Sequence, residues 1–349
     1  MSSLPSYDEL ESPSSKNCGS AAAASVEMET KSYQLQEAQP SQKHSRAFNF
    51  STEETKSKDK EETKSKDKQA QQQAQLPYHL RIARLDETEL GQFLNQVLPP
   101  GVLLQLIIHR NKSGVTNTLY PTYYCYYEAT GTHLMTGTTK SSLASSHSEI
   151  YMKQPFGTDA KWGKKLGDVR GNFTGLAYTV YDDGMNPKKL KELNQAPAKE
   201  VREELCSIQF NNNFLASCPR SFTLAIPRVQ LDEATGIVKQ TVWKPLSQTA
   251  SMMERFRHSE QCKLVDNAMH VLKNKPPVWS ERLEGFALNF NGRAKITSQK
   301  NFQVIDPQDP KYIILQFGKM GTDIFTVDVQ FPLSPLQAFG IALASLGNL

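Results

Sequence analysis

The sequence predicts a mainly β fold: a closed antiparallel barrel of about twelve strands enclosing a hydrophobic C-terminal helix, preceded by a disordered tail. Three observations point there. The segment LQAFGIALASL, residues 336–346, carries no charged side chain, and a helix without a charged face is expected to be buried on all sides. About a dozen short runs of branched and aromatic residues are joined by turn formers without repeated strand–helix alternation, which favours a barrel or sandwich over a doubly wound parallel sheet. A closed barrel around one helix reconciles the two, because it supplies an apolar interior for that helix. The third observation is compositional: residues 1–76 differ from the rest of the chain.

That first segment contains the octad EETKSKDK twice, at 53–60 and 61–68, followed by the tract QAQQQAQ and preceded by runs such as AAAAS. Few large apolar side chains occur there, so burial cannot offset the entropy of ordering the chain, and residues 1–76 are expected to be disordered. Glu54 and Lys58 have helical i, i+4 spacing, but such pairs contribute only about 0.2–0.5 kcal/mol. Residues 77–349 are expected to form one barrel domain.

Within it, ETELGQFLNQVL at 87–98 has helical periodicity, and SMMERFRH at 251–258 is a second helix candidate. VLLQLII at 102–108 and YPTYYCYY at 120–127 are strands separated by the turn-like NKSG. Ten more follow: HLMTGT, EIYMK, DVRGNF, LAYTVYD, LCSIQFN, SFTLAIP, FALNFNGRA, NFQVI, YIILQFG and FTVDVQF. Turn formers mark the joints, with DDG at 182–184, DPQDP at 306–310 and KMGTD at 319–323 closing the last hairpin. In the terminal segment Leu336, Phe339, Leu343 and Leu346 share one side and Ile341 projects from the other. Eleven residues rise roughly 16 Å, against a hydrocarbon core about 30 Å thick, and Pro332 and Pro335 prevent upstream extension, so a membrane span is excluded.

Residues 1–76 carry ten Lys and Arg against twelve Asp and Glu, and the remaining 273 carry 30 against 24. The domain is mildly basic, which suits an anionic partner without requiring one. With no apolar leader near Met1 and no run of spanning length, the protein is expected to be intracellular. Cys18, Cys125, Cys206, Cys218 and Cys262 are odd in number and widely spaced, as expected of reduced thiols, and the sequons at Asn111 and Asn172 are expected to be unused.

Several stretches resemble the tubby family: LYPTYYCYYE, GNFTGLAYTVYDDGMNP, NKPPVW, ALNFNGRAKITSQKNFQVI and YIILQFGKMGTDIFTVDVQFPLSPLQAFGIALASL occur in that family's order and spacing over about residues 90–349. The resemblance implies a closed barrel of about twelve strands threaded by the C-terminal helix. It also implies binding rather than catalysis, with no cofactor: capture of phosphoinositide headgroups carrying adjacent 4- and 5-phosphates at the inner plasma membrane. The implied protein partners are ciliary trafficking proteins and membrane-protein cargo. The location is then cytoplasmic, peripheral at the plasma membrane or cilium, with the nucleus as alternative. A headgroup of that kind is held by a lysine between phosphates and by forked arginines.

Residue by residue, the family's lysine and arginine, two apart on one strand, correspond to Asp168 and Arg170 in GDVRGNF. A later arginine corresponds to Arg202 in VREEL, and a phosphate-facing asparagine to Ser148. The preceding basic loop is reduced to TTKSSLASSHSE, with Lys140 its only lysine. Aspartate in place of a phosphate-inserted lysine reverses the central charge. At about 4 Å from a phosphate it would repel it by about 4 kcal/mol at an effective dielectric of about 20. Lys164 and Lys165, just upstream in KWGKKLGD, are expected to compensate in part, although the sequence does not fix their placement near a turn. A plainer reading makes Asp168 and Arg170 a same-face ion pair on a solvated strand. The expected function is therefore a phosphoinositide-binding adaptor weakened by Asp168. The alternative is a protein-interaction scaffold or transcriptional regulator that has lost lipid recognition.

Other chemistries find little support. Histidines 44, 79, 109, 133, 147, 258 and 270 form no HExxH pair and no metal-ligand spacing with the cysteines. No GxSxG or Walker loop occurs; GTDAKWGKK at 157–165 lacks Ser or Thr after its lysine and reads as a loop. Cys218 beside Pro219 reads as an inert loop cysteine. The aromatics of YPTYYCYYEAT alternate between two strand faces, as core and surface of a barrel do, so nucleic acid is disfavoured as a partner.

Overall fold

The computed structural model describes residues 30–34, 78–140, 146–153, 162–187, 201–211, 221–245, 247, 250–262, 267–281 and 284–347. The octad repeats, the glutamine tract, the loop cysteine Cys218 and most of GTDAKWGKK lie outside the described residues.

In chain order, strand β1 is Thr30–Gln34, helix α1 Tyr78–Arg84 and helix α2 Glu87–Asn95. Then come β2 Leu104–Asn111, α3 Gly114–Leu119, β3 Thr122–Tyr127, β4 Thr132–Lys140 and β5 His147–Met152. Strands β6 Lys165–Gly171, β7 Ala177–Asp182, β8 Glu204–Phe210 and β9 Phe222–Pro227 continue the wall. Next are β10 Val229–Asp232, β11 Ile237–Thr241, α4 Met252–Cys262, β12 Met269–Asn274, β13 Val278–Ser280 and β14 Gly285–Ala287. The chain closes with β15 Phe302–Asp306, β16 Asp309–Lys319, β17 Ile324–Val329 and α5 Pro335–Gly347.

Twelve of these strands form the closed barrel β12-β15-β16-β17-β2-β3-β4-β5-β6-β7-β8-β9, with antiparallel pairing throughout. Alternation along each strand divides core from solvent: in β5 Ser148, Ile150 and Met152 are buried while His147, Glu149 and Tyr151 are partly exposed. Eleven of the twelve expected strands belong to this wall. FALNFNGRA does not; only Gly285–Ala287 is extended, and it pairs with β13 outside the barrel. Its place is taken by Met269–Asn274, in which Leu272 faces the barrel interior while Met269 is buried in a separate cluster with Trp243, Met252 and Phe256, a pattern too irregular for a simple alternation reading.

The interior is filled by α5, on which every residue from Pro335 to Leu346 is buried. Pro335 occupies the first helical turn, where its missing N–H costs nothing. Ser334 accepts from the Gln337 amide at 3.1 Å, and Gln337 Oε1 accepts from the Ser334 amide at 2.8 Å, a reciprocal cap. The larger of the two buried polar side chains of this helix is satisfied too, since Gln337 Nε2 donates to the Leu205 carbonyl at 2.7 Å. Lys300 Nζ donates to the Leu346 carbonyl at 2.9 Å, placing a cation at the helix C-terminus. Helix and wall approach closely at two glycines: a Cβ on Gly340 would lie 2.8 Å from Val180 of β7, and one on Gly137 of β4 would lie 2.8 Å from Leu343. Around the end where α5 finishes, Tyr178, Phe210, Phe222, Phe302, Phe317 and Phe325 form a chain of ring contacts with centroids 4.9–5.9 Å apart, an aromatic collar just inside the wall.

Residues 30–34 depart from the compositional expectation of disorder over 1–76: as β1 they pair antiparallel with β11, completing a three-stranded sheet β1-β11-β10. A composition argument weighs burial within a segment; it is blind to an unpaired strand edge elsewhere that can take up the segment's backbone groups.

Candidate functional site

Strands β5, β6 and β7 place the candidate residues on the outer wall. Asp168 lies opposite Glu149 on one side and Tyr181 on the other, and Arg170 lies opposite His147 and Thr179. A register irregularity between Ile150 and Tyr151 brings Lys165 onto the same outer face as Asp168, three positions away instead of two or four. The side chains converge on one carboxylate. Asp168 Oδ1 is 3.0 Å from Lys165 Nζ and 3.0 Å from His147 Nε2, and Oδ2 is 3.3 Å from an Arg170 terminal nitrogen. Its side chain is only 6% exposed, against 34% for Lys165 and 41% for Arg170. Burial pulls the Asp168 carboxyl upward, but hydrogen bonds from His147 and Lys165 and the charges of Lys165 and Arg170 outweigh that and hold it well below the usual carboxylate range. Asp168 is therefore an anion throughout the neutral range, enclosed by the cations that an incoming anion would need.

Glu149 extends the network. It takes Lys140 Nζ at 2.7 Å and Tyr151 Oη at 2.6 Å, with Lys165 at 3.7 Å. Ligand-type atoms of His147, Glu149 and Asp168 lie within 4.8 Å of one another, as a metal site would require. Lys140, Lys165 and Arg170 already sit on those carboxylates, so a divalent cation would have to displace them.

Beside this cluster runs an open groove of about 610 Å³, bounded by β6, β7, β8 and α4 and lined by three guanidinium groups, Arg170, Arg202 and Arg257. Arg202 stacks on the Tyr181 ring with its Cζ 3.6 Å from the centroid, a contact that orients the planar fork while leaving its edge donors for hydrogen bonding. Arg257 is set by Glu254 at 2.6 Å and Gln209 at 2.6 Å. The Nε of Arg170 is enclosed without an acceptor among the described residues. At the groove floor Glu204 is buried and accepts the Met252 amide at 2.6 Å; burial pushes its carboxyl up to about 7. Burial likewise raises Asp182 at the end of β7 to about 6.

The structure thus distributes the six residues singled out in the sequence. Arg170 and Arg202 line one groove, and Asp168 and Lys165 adjoin it through ion pairs. Lys164 is exposed and, with Lys165, lines a second cavity of about 410 Å³ against α2. Ser148 is buried on the face of β5 that carries Ile150 and Met152, opposite to the face of His147 and Glu149. Arg257, His147 and Tyr181 escaped sequence reasoning. The alternation of LAYTVYD does place Tyr181 on the face of Thr179, but nothing local indicates that α4 lies across β8 and delivers Arg257 to the same groove.

Comparison with known proteins gives a consistent picture. The model of the Tub family matches residues 94–348. The chain is 32% identical over 265 residues to Tubby protein homolog 1 of Caenorhabditis briggsae, covering 74% of this chain and 60% of that protein. It is 32% identical over 266 residues to human Tubby-related protein 3, covering 75% and 58% respectively. Against human Tubby-related protein 2 the identity is 31% over 264 residues, with 74% and 48% covered. The chain spans roughly half to three-fifths of the length of these relatives.

Proposed function

The chain belongs to the Tub family, and from that premise we propose that it is a membrane-surface adaptor whose barrel binds bisphosphorylated inositol lipids through Arg170 and Arg202, more weakly than an equivalent site without Asp168. The observation that carries this reading is the convergence of Arg170, Arg202 and Arg257 on one open groove. Guanidinium forks match phosphate oxygens in pairs, and several on one wall suit a headgroup bearing more than one phosphate. Asp168 is the counterweight. It engages Arg170 and Lys165 from within, so a phosphate must compete with a fixed carboxylate for the same donors.

No described helix is long and apolar enough to cross a membrane, and the proposed attachment is peripheral, at the plasma membrane or cilium, with membrane-protein cargo and ciliary trafficking proteins as partners. The module is proposed as non-enzymatic. A second reading rests on the same carboxylate: with His147, Lys165 and Arg170 gathered on Asp168, the wall is largely self-neutralised and could serve as a protein-interaction scaffold, including in the nucleus.

Sedimentation with vesicles containing phosphatidylinositol 4,5-bisphosphate at low salt separates the two. Arg170→Ala should abolish association at the lipid concentration that half-binds the wild type. Asp168→Lys, by removing a repulsion and adding a cation, should tighten it by roughly tenfold or more, equivalent to about 1.4 kcal/mol. Unchanged association in both variants would favour the scaffold.

A further inference from the structure

The two ends of the barrel differ in a way the groove does not explain. The register pairs Asn111 with Thr122, Lys140 with His147, His147 with Arg170, Gly171 with Tyr178, and His109 with Ile324. The connections β2–β3, β4–β5, β6–β7 and β16–β17 therefore all emerge at one rim, the end ringed by the aromatic collar. Across 110–122, 138–140, 146–147, 170–178, 295–302 and 317–325 there are seven Lys and Arg and a single carboxylate, Asp323. Asp323 is itself held by Arg110 at 2.7 Å. The opposite end is mixed instead: Glu128, Asp182, Asp183, Glu203, Asp306 and Asp309 stand there among Lys153, Lys164, Arg202, Arg228 and Lys311.

The basic rim also carries exposed large apolar side chains, including the two most exposed, although Leu103 and Met185 at the other end are exposed as well. Phe173, at the β6–β7 turn, is 85% exposed, Val115 84% and Leu119 68%. Val115 and Leu119 are four apart on α3, so they share a face. Ile296 and Ile324, each 37% exposed, lie on the same rim, Ile296 through its amide bond to the Lys319 carbonyl. Apart from the Val115 and Leu119 pair, these are single side chains on separate connections, spaced among cations. A protein partner would be met by one contiguous apolar patch, whereas separated tips ringed by Lys and Arg match a bilayer interface, whose headgroups are anionic and whose acyl region takes up isolated apolar wedges.

We infer that this rim is a lipid-bilayer docking surface, with Phe173 on one hairpin and Val115 and Leu119 on α3 inserting among the headgroups. The inference rests on the membrane-surface reading given above and deepens it. Arg170 begins the hairpin that carries Phe173, so insertion at the tip would bring the groove to headgroup level.

The test compares the full chain with Phe173→Asp and with the double variant Val115→Asp, Leu119→Asp. One assay is association with phosphatidylcholine/phosphatidylserine vesicles, with and without phosphatidylinositol 4,5-bisphosphate. The other is calorimetric binding of soluble inositol 1,4,5-trisphosphate. Both variants should lose about tenfold or more in vesicle association with either lipid mixture, while their affinity for the soluble headgroup and their melting temperature match wild type. Wild-type association in the variants, or a wild-type chain that joins neither vesicle, overturns the docking surface. Vesicle association that depends on Phe173 in a chain that ignores the soluble headgroup would uphold the rim and sink the groove as a headgroup site.

Discussion

Asp168 has three basic partners on two strands, and its depressed pKa has a signed consequence. A carboxyl ionised more readily in the folded than in the unfolded chain adds stability above its unfolded value near 3.8, and that contribution is lost as pH falls through the lower folded value. Asp168→Asn should therefore lower stability at neutral pH, by about 1–2 kcal/mol given how far its partners reach into solvent. The difference from wild type should narrow in acid; a gap constant down to pH 2 in denaturant titrations would contradict it. Glu204 has the opposite sign. Because its folded value, about 7, lies above the ordinary 4.5, the protonated native form is favoured between the two, and stability from this group declines as pH rises across that window. Glu204→Gln should flatten that decline in the same titration, and an unchanged slope would show that Glu204 does not titrate there. At this scale the sequence was half legible. The Asp168–Arg170 pair follows from spacing two on one strand, whereas His147 and Lys165 depend on cross-strand register and on an irregularity between Ile150 and Tyr151 that no local pattern announces.

Among the elements, α5 was the most legible, because a charge-free helix too short for a bilayer has only a protein interior to occupy. Its fit depends on small residues at the wall. Gly340→Leu forces atoms against Val180, which lies 2.8 Å from the nearest possible Cβ, and should lower stability by about 1–3 kcal/mol. Leu343→Asp is more severe, since it places a carboxylate without a partner inside the barrel, and should leave the domain unfolded or insoluble. Thermal melts within a degree or two of wild type for both would disprove the tight enclosure. Strand β12 was the least legible element: MHVLKN buries Met269 and Leu272, three apart, so neither period two nor its charge pattern separates it from loop. FALNFNGRA offers the better alternation yet lies outside the wall, where Gln303 and Gln316 donate to the carbonyls of Asn289 and Phe290 instead of a strand ladder.

For the whole molecule, the barrel is closed and self-sufficient, while the small sheet beside it borrows a strand from far upstream. Removing residues 30–34 should raise hydrogen exchange at the amides of Ile237–Thr241 while the barrel melts as before, because the ion pair described from β1, Lys31 to Glu203 at 2.8 Å, is only part-buried and worth little. A fall in the barrel's melting temperature would instead make β1 part of the cooperative unit. The polarity of the barrel, basic and apolar at one rim and of mixed charge at the other, was present in the sequence but unreadable there, since it needs strand order to know which connections share an end. The central claim is that Asp168 restrains an anion site by occupying Arg170. A calorimetric double-mutant cycle with soluble inositol 1,4,5-trisphosphate tests it most directly. Asp168→Asn alone should tighten binding by about tenfold, and the same change in an Arg170→Ala background should gain little, leaving a coupling near 1.4 kcal/mol. Equal gains in both backgrounds, or none in either, would contradict the account.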